Sequence, residues 1–203
     1  MTRKRVGILA IQGDIEAHAA SVDRCGGEPV RVLHPGELDA VEALILPGGE
    51  STTIAKGIAR LELEGPLRAF ARSGRPLLGT CAGAILLSRA SANHAVPTLG
   101  LVDLVARRND YGTQVDSFAT SVDPERGGAF EGLRCVFIRA PRLSDLGPGV
   151  SVLARVDGDP VLVREGNVLA ATFHPELTGD LRVHELLLAP AEPPVRAPGG
   201  GDG

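Results

Sequence analysis

A cysteine set between two glycines, a histidine two residues ahead of a glutamate, and a paired-glycine turn are the parts of this 203-residue chain able to do covalent chemistry. The segment Leu77-Leu-Gly-Thr-Cys-Ala-Gly-Ala-Ile-Leu-Leu87 places Cys81 between a buried strand pattern and an apolar helix pattern, flanked by Gly79 and Gly83. That is the G-x-nucleophile-x-G spacing of a nucleophile elbow, in which a sharp turn lifts the reactive atom above the sheet edge. Thiolate is the reactive form, and a helix N-terminus or a neighbouring imidazole raises the thiolate fraction of a cysteine. A lone cysteine is also commonly just a small buried hydrophobe. The flanking glycines favour the nucleophile.

The base must come from elsewhere in the chain. Phe173-His-Pro-Glu-Leu177 follows a strand pattern, and in an extended segment His174 and Glu176 project to the same side. A carboxylate so placed accepts the imidazole N–H, fixes the tautomer and favours the protonated ring. The bland alternative is a strand-end histidine beside a solvated glutamate. His18, His34, His94 and His184 lack a carboxylate so placed at a strand end, and no pair shows the HxxxH spacing of a zinc site. No metal is expected. The third part, Leu46-Pro-Gly-Gly-Glu-Ser-Thr-Thr53, reads as strand, glycine turn and helix start, with Ser51 as a helix N-cap. Without the Gly-Lys-Ser/Thr of a phosphate loop, its N–H groups suit an oxyanion hole, although a tight turn alone would also explain it.

The elements that must carry these parts are legible. Lys4–Ala10, Pro29–Leu33, Ala43–Leu46 and Pro76–Thr80 read as buried strands, alternating with helices over Ile15–Cys25, Thr52–Leu63 and Gly65–Ser73. This pattern predicts a three-layer α/β fold, an open and mostly parallel sheet with helices on both faces. Later runs, at Leu99–Val105, Val115–Val122, Cys135–Ala140, Val150–Val156, Val161–Arg164 and Val168–Phe173, predict strands in hairpins that extend the sheet antiparallel. A helix over Asp180–Leu188 closes a single domain spanning residues 1–189. Residues 190–203 hold four prolines and four glycines, which predicts a disordered tail.

Composition excludes other classes. With 21 Lys and Arg against 25 Asp and Glu, and few aromatics for base stacking, a nucleic-acid partner is not expected. The apolar run after the basic start, Val6 to Ile11, is too short for a secretory leader, and nothing approaches the ~20 apolar residues of a membrane span. Three cysteines, far apart and never in CxxC spacing, fit a cytoplasmic protein.

Taken together, these residues resemble the class I, triad-type glutamine amidotransferases and, within them, the glutaminase subunits of pyridoxal 5′-phosphate synthase. The resemblance runs from Val6 to about Leu188, and the elbow and the His-x-Glu pair carry its class-wide part. Gly7-Ile-Leu-Ala-Ile-Gln-Gly13 with His18, Arg108-Asn109, and Thr178 with Arg182 and His184 also carry it, and Gly48-Gly-Glu-Ser-Thr52, Gln114-Val-Asp-Ser-Phe118 and Phe137-Ile-Arg-Ala-Pro141 are more specific to the subfamily. The resemblance implies a flavodoxin-like fold and a glutaminase in which Cys81 attacks the side-chain amide of L-glutamine, forming a glutamyl thioester. It implies His174 as base and acid, Glu176 as its orienter, and Gly49 and Ala82 as oxyanion-hole N–H donors. Gly49, Glu50, Ser51, Arg108, Ile138 and Arg139 would contact the substrate, and no cofactor is implied. Ammonia would pass to a PdxS-type synthase subunit, a (βα)8 barrel in a large hetero-oligomer, with the oxyanion hole completed on docking by a peptide flip in the Pro47–Gly49 turn.

One segment departs from the family pattern. Arg108-Asn-Asp-Tyr-Gly-Thr-Gln114 carries Tyr111 where phenylalanine is expected and Thr113 where arginine is expected, which removes a cation near the partner or substrate face. Three other readings stay open at this stage: an amidotransferase serving another acceptor, a cysteine hydrolase or chaperone of the DJ-1/PfpI group, and a non-enzymatic binding module. Many of the DJ-1/PfpI group carry histidine directly after the cysteine, where this chain has Ala82.

Overall fold

The computed structural model describes residues 2–93, 95–108, 117–123 and 128–189. Seven strands build the central sheet: β1 (Arg5–Leu9), β2 (Glu28–Val32), β3 (Ala43–Leu46), β4 (Leu77–Thr80), and, after five intervening strands, β10 (Ser151–Val156), β11 (Asp159–Glu165) and β12 (Val168–Ala171). Their order is β10-β11-β12-β4-β3-β1-β2. The five from β12 to β2 run parallel, and β11 and β10 add the antiparallel extension.

Alternation along these strands decides which layer each side chain enters. In β3, Leu44 and Leu46 face a core shared with α2 (Ser51–Arg60), α3 (Glu64–Arg72) and α4 (Ala82–Leu87). Ala43 and Ile45 face the opposite core, with Val22 of α1 (Ile15–Arg24) and Val183 and Leu187 of α5 (Arg182–Leu188). Because β3 is buried on both faces, it reads as a continuous apolar run rather than an alternating one. The result is the three-layer, mostly parallel arrangement expected from the sequence. No helix among the described residues is long and apolar enough to cross a membrane.

The second half of the chain departs from expectation. It does not simply prolong the sheet: β5 (Ser88–Ala92), β6 (Val102–Arg107) and β9 (Arg142–Ser144) form a separate three-stranded sheet. β7 (Ser117–Ser121) and β8 (Arg134–Ile138) pair as an antiparallel ribbon of their own. The physical reason lies in their patterns. β6 buries Val102, Leu104 and Ala106 while the residues between them are more exposed, so it has one face to hide and lies over the helical layer instead of inside the sheet. β5 and β9, rich in Ser and Arg, carry no apolar run to betray them. The expected strand start at Val115, the segment Asn109 to Asp116 with Tyr111, Thr113 and Gln114, His94, and the tail from Pro190 lie outside the described residues.

Candidate active site

β4 and β12 are neighbouring parallel strands, with Thr80 in register with Ala171. The chain leaves both at the same sheet edge, and open α/β sheets place their sites at the carboxyl ends of strands. Cys81 follows β4 directly, its N–H donating to the Ala171 carbonyl at 2.8 Å. His174 comes three residues after β12, its N–H donating to the carbonyl of Val136 in β8 at 2.8 Å. Two elements that the sequence separates by about ninety positions thus deliver a thiol and an imidazole to one spot.

The elbow at Cys81 is backbone chemistry. Cys81 has φ 49° and ψ −104°, outside the regions an L-residue favours, and α4 starts at the next residue. The glycines on either side leave no room for a Cβ. One at Gly83 would sit 2.1 Å from the Leu46 carbonyl oxygen, and one at Gly79 would sit 2.6 Å from the Gly83 backbone. The turn closes only because these chains can touch.

His174 Nδ1 lies 2.7 Å from Glu176 Oε1. The pair does not come from an extended segment, as the sequence suggested. Pro175 opens a short 3-10 turn over Pro175–Leu177, because its ring fixes φ and it has no N–H to give a strand. The turn still brings Glu176 back onto the imidazole. All three side chains are buried, with relative exposures of 6% for Cys81, 5% for His174 and 7% for Glu176. Burial by itself depresses the His174 pKa. Hydrogen bonds to Cys81 and Glu176, and the charges of both, outweigh it and push the value up to about 10. Near neutral pH the imidazole therefore holds its proton.

A cavity of about 380 Å³ opens above the sulfur, within the ~300–1,000 Å³ of small-molecule sites. Gly49, Glu50, Ser51, Ala82, Arg108, Ile138 and Arg139 all line it with Cys81 and His174, so the structure gathers every residue singled out from the sequence except Glu176, which stands behind His174. The Ile138 carbonyl lies 3.7 Å from Cys81 Sγ. Arg139, at φ 45°, is bent to follow it along the wall. Arg108 and Glu50 form an ion pair at 2.9 Å. A hydrogen bond from the Thr52 hydroxyl, with the Arg108 charge, holds the Glu50 carboxyl below its ordinary range. Ser51 is not the N-cap of α2. Glu50 takes that position, leaving the buried Ser51 hydroxyl in the cavity wall with no hydrogen-bond partner among the described residues.

Several residues at the site were not assigned to it from the sequence. Gln12 Oε1 accepts the Glu50 N–H at 3.1 Å, and Asp14 Oδ2 lies 4.0 Å from His174 Nδ1. Both sit just after β1, another parallel strand end, which was the available signal. Thr80 Oγ1 accepts the Gly48 N–H at 3.0 Å and ties the glycine turn to β4. His18, read as having no carboxylate at hand, places Nε2 3.3 Å from Glu176 Oε2. Asp14, His174 and Glu176 also offer ligand atoms within 4.8 Å of one another. Of these residues, His174 and Glu176 are hydrogen-bonded to each other through Nδ1 and Oε1.

Gly48 packs directly against the imidazole. A Cβ there would meet His174 Cε1 at 2.4 Å and Nδ1 at 3.1 Å, so the glycine turn and the imidazole are in contact.

The profile of the SNO glutamine amidotransferase family matches residues 8–192. The pyridoxal 5′-phosphate synthase subunit PdxT of Mycobacterium tuberculosis is 48% identical over 194 residues, covering 93% of this chain and 96% of that protein. The PdxT subunit of Koribacter versatilis is 50% identical over 185 residues, covering 91% and 94%. Among solved structures, a glutamine amidotransferase superposes with a TM-score of 0.84 at 44% identity, covering 90% of this chain and 96% of that one. PurLQS from Thermotoga maritima superposes at 0.63 with 19% identity, covering 93% and 98%, a likeness of fold.

Proposed function

The chain belongs to the SNO glutamine amidotransferase family, and on that premise we propose that it releases ammonia from L-glutamine as the glutaminase subunit of a pyridoxal 5′-phosphate synthase, with Cys81, His174 and Glu176 as its catalytic triad. One observation carries the assignment of the residues: the thiol and the buried imidazole, backed by its carboxylate, line a cavity that also carries a cation and an anion.

Glutamine is a zwitterion with a side-chain amide, and the cavity offers a match for each end. Arg108 suits the α-carboxylate, Glu50 the α-ammonium, and Gly49, Ser51, Ile138 and Arg139 line the space between. Cys81 Sγ, its proton handed to His174, attacks the amide carbon. The oxyanion formed is held by the N–H groups of Gly49 and Ala82, the latter at the start of α4 where no intrahelical acceptor exists. The proton on His174 goes to the departing nitrogen, and ammonia leaves a glutamyl thioester. Water then attacks the thioester carbon, with His174 taking the water's proton and the sulfur leaving. Glutamate dissociates and the triad is restored. Glu176 keeps the ring oriented and stabilises its charged form throughout.

The ammonia goes to a PdxS-type synthase subunit within a large hetero-oligomer. The reading is tested by glutamate release from L-glutamine, with and without that subunit, for the wild type and Cys81→Ala. Release that rises with the synthase and vanishes in Cys81→Ala is the expected result. A folded wild type that is inactive in both conditions would overturn it.

A further inference from the structure

Behind the triad lies a second pair of imidazoles that the reaction as described does not use. His18 in α1 and His184 in α5 are each 0% exposed. His18 Nδ1 lies 3.0 Å from His184 Nε2. His18 Nε2 lies 3.2 Å from Thr80 Oγ1 and 3.3 Å from Glu176 Oε2. Glu176 Oε1 belongs to His174, whereas Oε2 is buried with no hydrogen bond of good geometry among the described residues.

We propose that His18 is a positioning residue for Glu176: its Nε2–H, fixed in place by His184 behind it, holds the carboxylate oxygen that His174 leaves free. The inference deepens the glutaminase reading and rests on it.

The protons follow by elimination. A carboxylate oxygen carries only lone pairs, so the atom facing it must bear hydrogen. Were His18 protonated at Nδ1 instead, its Nε2 lone pair could accept the Thr80 hydroxyl but would also face Oε2 at 3.3 Å in a dry interior, where electrostatic terms are several times larger than in water. His18 is therefore the Nε2–H tautomer and its Nδ1 is an acceptor. His184 must then donate from Nε2, which leaves His184 Nδ1 bare. That atom is the buried ring nitrogen with no partner, and an unmet acceptor is better tolerated than an orphaned N–H. Burial, and the repulsion that a protonated His184 or His174 would exert, hold His18 well below the ordinary histidine range, and burial with the Arg24 charge lowers His184 to about 4. Both rings are neutral, as single tautomers require. Through Thr80 the same imidazole also braces Gly48, so one side chain steadies the triad and the turn opposite it.

Nitrogen-15 histidine correlation spectra of the wild type read the tautomers directly. The expected result is His18 and His184 protonated at Nε2 and bare at Nδ1. Two variants then separate positioning from packing. In His18→Gln the side-chain amide nitrogen reaches the Nε2 position, whereas in His18→Asn it stops near Nδ1. With the synthase subunit present, His18→Asn is expected to lose about 10–100-fold in kcat, the size typical when a partner behind a reacting group is removed. The KM for glutamine should stay within about twofold and His18→Gln within about threefold of wild type. Melting temperatures of both variants show whether folding is at issue, and if His18→Asn fails to fold the wild-type tautomers still decide. An Nδ1–H or charged His18, or equal activity of the two variants, would overturn the positioning role in an active enzyme. A wild type without glutaminase activity would overturn the reaction reading and the positioning role with it.

Discussion

Gly48→Ala tests how the glycine turn meets the imidazole. The new methyl would stand 2.4 Å from His174 Cε1, whereas carbon atoms rest at about 3.5–4.0 Å, a shortfall of about 1.1–1.6 Å. The ring has little room to give way, because Nδ1 is held at 2.7 Å by Glu176, itself buried. The turn cannot simply back off either, since the Gly48 N–H is bonded to Thr80 and the methyl would also lie 3.3 Å from Cys81 Cβ. The imidazole must therefore swing by about 1 Å, and a displacement of that size costs on the order of 100-fold in rate. That corresponds to about 2.7 kcal/mol of transition-state stabilisation. The backbone at Gly48 is not left-handed, so alanine introduces no conformational penalty of its own. The assay is glutamate release in the presence of the synthase subunit, with Gly36→Ala, where a Cβ meets nothing within 4 Å, as the control. The expected outcome is a roughly 100-fold fall in kcat/KM for Gly48→Ala and none for the control. Activity of Gly48→Ala within threefold of wild type, at an unchanged melting temperature, would refute the contact argument.

At Gly83 the same substitution should fail for a different reason. Its Cβ would lie 2.1 Å from a backbone oxygen of Leu46, with no side chain free to move, so Gly83→Ala is expected to destabilise by at least about 3 kcal/mol. Thermal melting should show this as a drop of roughly 10 °C, and a variant melting with the wild type would contradict it. Acid stability should report His184. Its folded pKa of about 4 lies below the ordinary 6.5, so its contribution is present above about pH 6.5 and lost as pH falls through about 4. The difference is worth about 3 kcal/mol, so the stability gap between wild type and His184→Gln should narrow by that amount between pH 7 and 4 in urea titrations. A gap independent of pH would count against a buried neutral imidazole.

Much of this was legible because the local signals were strong. Ala43–Leu46 is apolar throughout and begins and ends where the sequence placed it, since a strand buried on both faces tolerates no polar interruption. Cys81 announced itself through Gly79 and Gly83, which the backbone contacts across the elbow require. The illegible parts depend on contacts distant in sequence. His18 meets His184 across 166 positions, and no spacing rule reaches that far. The helix boundary at Ser51 was misread because a serine after paired glycines has the composition of an N-cap, whereas the bond from Glu50 N–H to Gln12 draws the start of α2 one residue earlier. The small sheets escaped because β9 is three residues long and β5 has no apolar face to pattern.

The backbone at Cys81 has a consequence for how this chain can change. A non-glycine residue at φ 49° and ψ −104° costs on the order of 1–3 kcal/mol, and only its surroundings keep it there. Glycine would relax the turn and erase the nucleophile in the same substitution. Fold and reaction thus ask for opposite residues at one position, so a copy of this chain released from its catalytic duty could grow sturdier by the very step that silences it. The sulfur persists at residue 81 only for as long as the chemistry is needed.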